Sequence, residues 1–319
     1  MALATRPLPE PVAAVLPSAP LTVPALSPAP PGLPADWPHA CRSHQLQAGG
    51  LRWHVQVWPQ PHAGAGWLLL LHGTGASTHS FAGLAPLLAR HHGLIVPDLP
   101  GHAFTSRPRA AGLSLPGMAA GLGALLQALG VAPVAVLGHS AGAAIGAQLV
   151  LDGHARPASL VSLNGAWFPP SGAGGWWYAR TARLLAINPL APALFSWHAA
   201  RPATIERLLR GTGSRLDASG RAHYARLAGD VGHVGAVIAM MAAWDLAPLP
   251  RQLPRLAALG TQLHLLAAER DAAVPPAQAQ RLAERVPGAR VHRLPALGHL
   301  AHEEAPAAVA ALVAPLLPR

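Results

Sequence analysis

Short apolar runs alternate along the chain with stretches of helical spacing. The apolar runs are bounded by proline or glycine, as buried strands are, and they lie at residues 67–71, 93–98, 134–138, 159–165, 262–268 and 290–295. The helical stretches lie at residues 81–92, 116–129, 140–151 and 276–286 and begin again at Pro306. Strands that alternate with helices predict an α/β fold, with a mostly parallel sheet flanked by helices.

The N-terminal part of the chain differs from this pattern. Residues 1–40 contain 11 prolines, which favour extended polyproline and oppose the formation of a core. We therefore predict a Pro-rich flexible tail over residues 1–40. Order is expected to begin with two strands joined at Gly49-Gly50, a typical hairpin signal.

One long gap interrupts the alternation of strands and helices. Between Gly165 and Gln262 lie 96 residues, whereas a crossover between parallel strands needs about a dozen. The gap predicts a helical cap (lid) over residues 166–245, inserted into a core formed by residues 41–165 and 246–319. The cap contains 9 of the 15 aromatic residues, which indicates either a core of its own or an apolar ligand pocket.

Composition excludes several function classes. With 51% hydrophobic and 11% charged residues, the chain as a whole is not disordered. All 23 basic residues are arginine, so a P-loop lysine and a Schiff-base lysine are both excluded. The single cysteine, Cys41, excludes an internal disulfide and a CxxC site. We predict no cofactor and no protein-bound metal, because the 13 acidic residues show no DxD-like cluster.

The net charge of +10 does not by itself indicate nucleic-acid binding, because the arginines are scattered and form no long basic run. Proline and glycine interrupt every long uncharged stretch, which argues against a transmembrane helix. The N-terminus lacks the uninterrupted apolar region of a secretory signal. These features predict a cytoplasmic protein with at most peripheral membrane association.

The sharpest chemical signal is Gly138-His139-Ser140-Ala141-Gly142. It has the G-x-S-x-G form and lies between a predicted strand and a predicted helix, the context in which this motif is diagnostic of a nucleophilic serine. We predict that Ser140 is the nucleophile of a serine-triad hydrolase. The alternative is a chance glycine-rich turn between a strand and a helix.

A nucleophilic serine needs a base and an acid that orients the base. His299 follows the last predicted strand and is the candidate base, whereas His302 is expected to face differently. Elimination among the acids between Ser140 and His299 favours Asp271 as the acid. Glu269 is the solvated alternative and Asp245 the second choice.

The developing negative charge on the substrate needs backbone N–H donors, the oxyanion hole. We expect these donors to be Ala141, directly after the nucleophile, and Thr74, in the glycine-rich loop after strand 67–71. His72 is expected to stabilise that loop. Candidate substrate contacts are His139, beside the nucleophile, and the tryptophans Trp167, Trp176, Trp177 and Trp244.

Several segments together resemble a known family. HGTG, DLPGH, GHSAG, the Asp271 loop and the GH at 298–299 resemble the α/β-hydrolase fold over roughly residues 43–319. ADWPHA, LRWHVQVW, SLNGAW, TGSRLD, MMAAWDLAPL and LGHLAHEE are similar to one branch, the magnesium-chelatase accessory proteins of bacteriochlorophyll biosynthesis (BchO type). Two departures are Ala103, where relatives usually have glycine, and the longer Pro-rich tail; neither involves the triad.

The resemblance implies a role in tetrapyrrole metabolism, with magnesium-chelatase subunits as possible partners. A flat anionic tetrapyrrole would suit the aromatic residues of the cap and its surplus of arginine over acidic residues. The cap arginines are Arg180, Arg183, Arg201, Arg207, Arg210, Arg215, Arg221 and Arg226. Two alternatives stay open: a general carboxylesterase or C–C bond hydrolase with an apolar substrate, and a non-catalytic chaperone that binds a tetrapyrrole.

Overall fold

Eight strands form one sheet in the computed structural model, which describes residues 26–169, 181, 184–199 and 201–318. The strands are β1 (Ser43–Ala48), β2 (Leu51–Trp58), β3 (Trp67–Leu71), β4 (Gly93–Pro97), β5 (Pro133–His139), β6 (Ser159–Leu163), β7 (Gln262–Ala268) and β8 (Arg290–Leu294). Their order across the sheet is β1-β2-β4-β3-β5-β6-β7-β8. β2 pairs antiparallel with β1 and β4, and all pairs from β4 to β8 are parallel. The predicted mostly parallel sheet is therefore confirmed.

Helices cover the sheet and connect its strands. They are α1 (Ala85–Leu88), α2 (Leu115–Leu129), α3 (Ala141–Leu151), α4 (Ala191–Ala199), α5 (Pro202–Gly211), α6 (Ala218–Ala228), α7 (Val231–Ala243), α8 (Leu249–Gln252), α9 (Arg255–Ala258), α10 (Ala277–Ala283), α11 (Ala301–Glu304) and α12 (Pro306–Val313). Short 3₁₀ turns lie at Ala40–Arg42, Thr78–Phe81, Ala110–Leu113 and Ala314–Leu316. None of the helices in the described ranges is long and apolar enough to cross a membrane.

Local sequence explains where these helices begin and end. α2 begins after Ser114, whose side chain accepts a hydrogen bond from the Gly117 N–H, and ends at Gly130, which has φ 65°. The predicted helix over residues 81–92 is reduced to a 3₁₀ turn and the single turn of α1. The reason is Pro86 near the start of α1, because a proline ring blocks an α-helix from extending several residues further towards the N-terminus.

The sheet is buried on both faces, which explains the continuous apolar run of β3. Leu69 and Leu71 belong to the core on the face that α2 and α3 cover, and Leu68 and Leu70 to the core on the opposite face. Because successive side chains of a strand point to opposite faces, all four leucines are fully buried.

Helices α4–α7 are inserted between β6 and β7, within the segment predicted to be a cap, and we call them the cap. They contact the loops that follow the strands. His233 of α7 accepts a hydrogen bond from the Ala103 N–H at 3.0 Å, and its Nε2 lies 3.2 Å from the Gly75 carbonyl oxygen. One cap side chain therefore joins the loops that follow β3 and β4.

Residues 26–40, the described part of the predicted flexible tail, make contacts with the domain. Ser27 forms a β-bridge with Gln45, and Trp37 is 2% exposed. The indole N–H of Trp37 donates to Thr78 Oγ1 at 3.2 Å, and its ring contacts His223 of the cap. Over residues 26–40 the structure therefore differs from the predicted flexible tail. The physical reason is that an indole can bury a large area even within a proline-rich segment.

Candidate active site

Ser140 occupies a strained turn between β5 and α3. Its φ of 51° and ψ of −115° lie in a region that residues other than glycine rarely adopt. The Ser140 N–H donates to the Leu163 carbonyl oxygen at 3.0 Å, which fixes the turn to the neighbouring strand β6. The residue is partly exposed, so the turn can present the hydroxyl group to a ligand.

The two glycines of the motif are required by close backbone contacts. A Cβ atom on Gly138 would lie 2.4 Å from the Ala143 nitrogen, and one on Gly142 would lie 2.2 Å from the Leu71 carbonyl oxygen. Both distances are far below van der Waals contact. The G-x-S-x-G spacing therefore follows from the way α3 packs against β3 and β5.

The glycine-rich loop after β3 lies directly against Ser140. The strand order reverses between β3 and β5, and crevices at such switch points bind ligands in α/β sheets. A Cβ atom on Gly73 would lie 3.0 Å from the Ser140 Cβ atom. Only a glycine lets the loop approach the serine this closely.

His72 stabilises this loop, as predicted. Its Nδ1–H donates to the Gly73 carbonyl oxygen at 2.8 Å, and its Nε2 accepts from the Leu99 N–H at 2.9 Å. Burial lowers the pKa of His72 to about 3, so the ring is neutral, as this pair of bonds requires.

The two expected oxyanion donors, Thr74 and Ala141, directly follow Gly73 and Ser140 in the sequence. Ala141 is the first residue of α3, where a backbone N–H has no partner within the helix. Thr74 is exposed in the loop between Gly73 and Gly75, and Gly75 has φ 77°. Their role as an oxyanion hole stays a prediction.

The structure brings Asp271 and His299 together. Nδ1 of His299 lies 2.8 Å from Oδ2 of Asp271, and both side chains are almost completely buried. The other oxygen of Asp271 accepts hydrogen bonds from the N–H groups of Ala273 and Val274 at 2.8 and 2.7 Å. The carboxylate is therefore fixed at one oxygen and free to orient the imidazole with the other.

The two alternative acids lie elsewhere. Glu269 is exposed and lies 3.9 Å from Arg293 in a surface ion pair. Asp245 is exposed at the end of the cap and accepts a hydrogen bond from the Ala247 N–H. Among the described acidic residues, Asp271 is the one that contacts the imidazole of His299.

Nε2 of His299 is left available for proton transfer. Because Nδ1 donates to Asp271, Nε2 of the neutral ring carries a lone pair. Within the described part of the chain, neither Nε2 of His299 nor the Ser140 hydroxyl makes a hydrogen bond. In the absence of substrate, a missing serine–histidine hydrogen bond does not exclude the pair from catalysis.

Two further histidines lie beneath His299 and are buried. His139 is 2% exposed, and its Nε2–H donates to the His299 carbonyl oxygen at 3.0 Å. His302 is 1% exposed and its Nε2 lies 2.9 Å from Ser80 Oγ. Burial, followed by the charge of His299, lowers the pKa of His302 to about 3. His139 holds the backbone of His299 and the ring of His302 packs against His139, while the predicted contact of His139 with substrate stays a prediction.

Asn164 also holds the loop of His299, and the sequence did not single it out. Its side-chain amide donates to the carbonyl oxygens of Gly298 and His299 at 3.0 and 2.8 Å. Its Oδ1 accepts from the Ala268 N–H at 2.9 Å. Asn164 has φ 49° at the end of β6, and the Asn-Gly pair at 164–165 is a turn signal that could have marked it.

The cap also contacts the loops that carry Asp271 and His299. The Thr212 carbonyl oxygen accepts from the N–H groups of Ala272 and His299, at 3.1 and 3.3 Å. Ser214 Oγ accepts from the Leu300 N–H at 2.8 Å. The short cap segment 212–214 therefore fixes the loops that carry Asp271 and His299.

The predicted tryptophan contacts have different environments. Trp167 is 1% exposed and belongs to the main core, and Trp244 packs against that core while partly buried. Trp176 and Trp177 lie outside the described residues. Trp167 therefore stabilises the core in this structure, and a ligand contact by any of the four stays a prediction.

Comparison with known proteins adds to this geometry. A family model described as alpha/beta hydrolase fold matches residues 66–306. The magnesium-chelatase 30 kDa subunit of Rhodobacter capsulatus is 39% identical over 276 residues, which cover 86% of this chain and 94% of that protein. An uncharacterized hydrolase of Saccharomyces cerevisiae, YNR064C, is 34% identical over 126 residues, 39% of this chain and 42% of that protein.

Solved structures with low sequence identity share the fold. The epoxide hydrolase CorEH aligns with a TM-score of 0.71 and 20% identity, covering 86% of this chain and 97% of that one. An alpha/beta hydrolase fold protein from Burkholderia ambifaria aligns with a TM-score of 0.67 and 24% identity, covering 84% and 96%. At these identities the likeness concerns the fold alone.

Proposed function

This chain belongs to the α/β-hydrolase fold family and is a relative of the magnesium-chelatase 30 kDa subunit, and from that premise we propose that it is a serine-triad hydrolase that acts on a tetrapyrrole. The observation that supports the catalytic part is the buried Asp271–His299 pair, which His139 links by a hydrogen bond to the strained turn of Ser140. The proposal of a tetrapyrrole substrate rests on this relative, because its name describes it as a subunit of a magnesium chelatase.

In the proposed reaction, Ser140 Oγ attacks the carbonyl carbon of an ester while Nε2 of His299 takes the hydroxyl proton. The negative charge that develops on the carbonyl oxygen is stabilised by the N–H groups of Thr74 and Ala141. Asp271 stabilises the imidazolium through Nδ1. Collapse of the tetrahedral intermediate breaks the ester C–O bond, and His299 returns its proton to the departing alkoxide.

Water completes the cycle. His299 removes a proton from a water molecule as the water oxygen attacks the acyl carbon, and the proton then passes to Ser140 Oγ as the acyl–serine bond breaks. The products are a carboxylic acid and an alcohol. Asn164 and the cap segment 212–214 act through His299, since they hold the backbone of its loop.

Two features of the cap support an anionic tetrapyrrole as the ligand. Aromatic residues are concentrated in the cap sequence, and aromatic side chains stack on flat macrocycles. The cap also carries more arginine than acidic residues, which suits the carboxylates of such ligands. We propose that the protein works in the cytoplasm, at most peripherally on a membrane, with magnesium-chelatase subunits as partners.

A fluorophosphonate probe tests the catalytic part directly, because it labels activated serines. We expect labelling and hydrolysis of short p-nitrophenyl esters by the wild type, and loss of both in Ser140→Ala. His299→Ala should lower ester turnover by orders of magnitude while the fold is retained. Unchanged turnover in Ser140→Ala would exclude the serine mechanism.

Titration with protoporphyrin tests the ligand. Saturable binding at micromolar concentrations should quench tryptophan fluorescence and shift the porphyrin absorption band. Porphyrin binding by a protein that the serine probe does not label would indicate the non-catalytic chaperone. Ester turnover without porphyrin binding would indicate the general carboxylesterase.

A further inference from the structure

An arginine-lined pocket lies on the cap beside the loop that carries His299. Its volume is about 620 Å³. Four of its lining residues are arginines and one is acidic, and the full lining is Glu206, Leu209, Arg210, Gly213, Ser214, Arg215, Leu216, Arg221 and Arg270. Ser140 is not among these residues, so the pocket is separate from the nucleophile.

Only part of this positive charge is neutralised by neighbours. Arg210 pairs with Glu206 at 2.7 Å, and Arg270 lies 3.8 Å from Glu304. The Arg221 guanidinium donates to the Leu216 carbonyl oxygen at 2.6 Å, a neutral acceptor that leaves its charge unpaired. Within the described residues, no carboxylate lies within ion-pair distance of the guanidinium group of Arg215 or Arg221, although Glu304 accepts a hydrogen bond from the backbone N–H of Arg215 at 3.2 Å. Two guanidinium groups therefore remain for an external anion.

Gly213 and Ser214, which line the pocket, belong to the cap segment 212–214 that holds the loop of His299. A Cβ atom on Gly298 would lie 2.4 Å from the Gly213 carbonyl carbon, and one on Gly213 would lie 1.8 Å from the Arg270 carbonyl oxygen. Ser214 accepts the hydrogen bond of the Leu300 N–H. A ligand group in the pocket would therefore contact the same segment that holds the loop of His299.

We propose that this pocket binds a ligand that carries at least two oxyanion groups, carboxylate or phosphate. Guanidinium groups bind both kinds of group through paired N–H donors, and such bonds are stronger than neutral ones. A single small anion would leave one of the two unpaired arginines uncompensated. The identity of the natural ligand rests on the proposed function, under which the two groups are the propionate carboxylates of a tetrapyrrole.

The anion site is tested first with citrate and pyrophosphate, measured by calorimetry at low salt against sodium chloride of matched ionic strength. We expect saturable binding to the wild type and at least tenfold weaker binding to the Arg215→Gln/Arg221→Gln double variant. Arg207→Gln is the matched control, because Arg207 is exposed on the same helix as Arg210 and does not line the pocket. Equal binding by wild type and double variant, or no binding beyond the chloride control, would overturn the proposal.

A second experiment separates this proposal from the proposed function. Protoporphyrin and its dimethyl ester are titrated in the same dilute detergent buffer, with Ser140→Ala added to both proteins so that the ester is not hydrolysed. We expect the double variant to bind the free acid at least tenfold more weakly than the wild type does and to bind the ester unchanged. If both porphyrins bind both proteins equally, the tetrapyrrole function stands and the pocket assignment fails. If citrate binds through these arginines and neither porphyrin binds, the pocket stands and the tetrapyrrole function fails.

Discussion

One carboxylate oxygen of Asp271 contacts His299, and the other contacts the backbone. Oδ2 lies 2.8 Å from Nδ1 of His299, while Oδ1 accepts two backbone N–H groups of its own loop. Because the backbone bonds prevent the carboxylate from rotating, the imidazole is held in one orientation. The proton on Nδ1 then fixes Nε2 as the basic nitrogen.

Asp271→Asn should lower ester turnover far more than a change at either alternative acid. The amide keeps the size of the carboxylate but neither stabilises an imidazolium nor enforces the tautomer, and a loss of about 10³–10⁴-fold is expected. Glu269→Gln and Asp245→Asn should leave turnover within about threefold of the wild type, because both side chains are exposed and have partners other than the imidazole. Rates with p-nitrophenyl esters provide the ranking, and a larger loss from Asp245→Asn would reassign the acid.

Gly142→Ala should destabilise the fold and abolish labelling by the serine probe. The added methyl group would lie 2.2 Å from the Leu71 carbonyl oxygen, so α3 must move away from β3. We expect a loss of about 1–3 kcal/mol in the free energy of unfolding, as for other overpacked cores. Gly211→Ala is the control, since nothing lies within 4 Å of its Cβ position. Urea denaturation compares the two, and equal stabilities would contradict the steric argument.

Asp98→Ala should be among the most destabilising single substitutions. Asp98 and His54 are fully buried 2.6 Å apart, and Asp98 also accepts the N–H groups of Thr78 and Phe104. Burial tends to raise the pKa of Asp98, but the interactions with His54 outweigh this effect and hold the pKa below its usual value. Removing the carboxylate should cost about 3–5 kcal/mol.

The exposed ion pair between Asp36 and Arg226 provides the comparison for Asp98. Asp36→Ala should cost far less stability than Asp98→Ala, because exposed pairs contribute little. Denaturant midpoints for the two variants measure the difference. A cost for Asp36→Ala that equals the cost for Asp98→Ala would mean that burial does not decide these energies.

Glu303→Gln should flatten the dependence of stability on pH. Burial raises the pKa of Glu303 to about 7, although Ser80 Oγ and the Tyr224 hydroxyl donate to its Oε1 at 2.5 and 2.7 Å. Between pH 4.5, the ordinary value, and about 7, the folded protein keeps a proton that the unfolded chain has released. The free energy of unfolding therefore falls as pH rises through this window, by at most about 3 kcal/mol.

The charged neighbours of Glu303 act in the same direction. Glu304 and Asp217 raise its pKa further, and the buried His302 is neutral in this pH range because its own pKa is about 3. Urea unfolding at pH 5, 6, 7 and 8 compares the wild type with Glu303→Gln and with Glu284→Gln, an exposed control. A Glu303→Gln curve parallel to that of the wild type would show that this carboxyl group does not control the pH dependence.

Local patterns predicted the strands well because each strand is a short run with a clear boundary. The predicted and observed limits of the strands at 67–71 and 262–268 coincide, since glycine or a polar residue ends each apolar run. Ser140, His299 and Asp271 could also be named as candidates, because the motif and the chain order restrict the choice. His299 contacts Asp271 rather than Glu269, and this choice depends on the direction of the side chains after β7. Elimination could rank the two acids as candidates, but it could not show which of them reaches the imidazole.

The supporting contacts were not predictable in the same way. Asn164 and the cap residue Thr212 act on the His299 loop across 135 and 87 residues of sequence, and no local pattern links positions so far apart. Trp37 was missed for a related reason. Its binding site is formed jointly by Thr78, Phe104 and the cap residue His223, so its burial depends on the assembled tertiary structure.

The insertion of the cap between β6 and β7 also has a consequence for how the chain is made. The Ser140 turn is complete once β6 has been synthesised, whereas His299 follows 159 residues after the serine. Until β7 arrives, the edge of β6 exposes unpaired backbone groups together with Leu160, Val161 and Leu163, a template for pairing with other chains. A nascent chain that stalls within the cap is therefore prone to aggregate, and its folding waits on closure of a long loop.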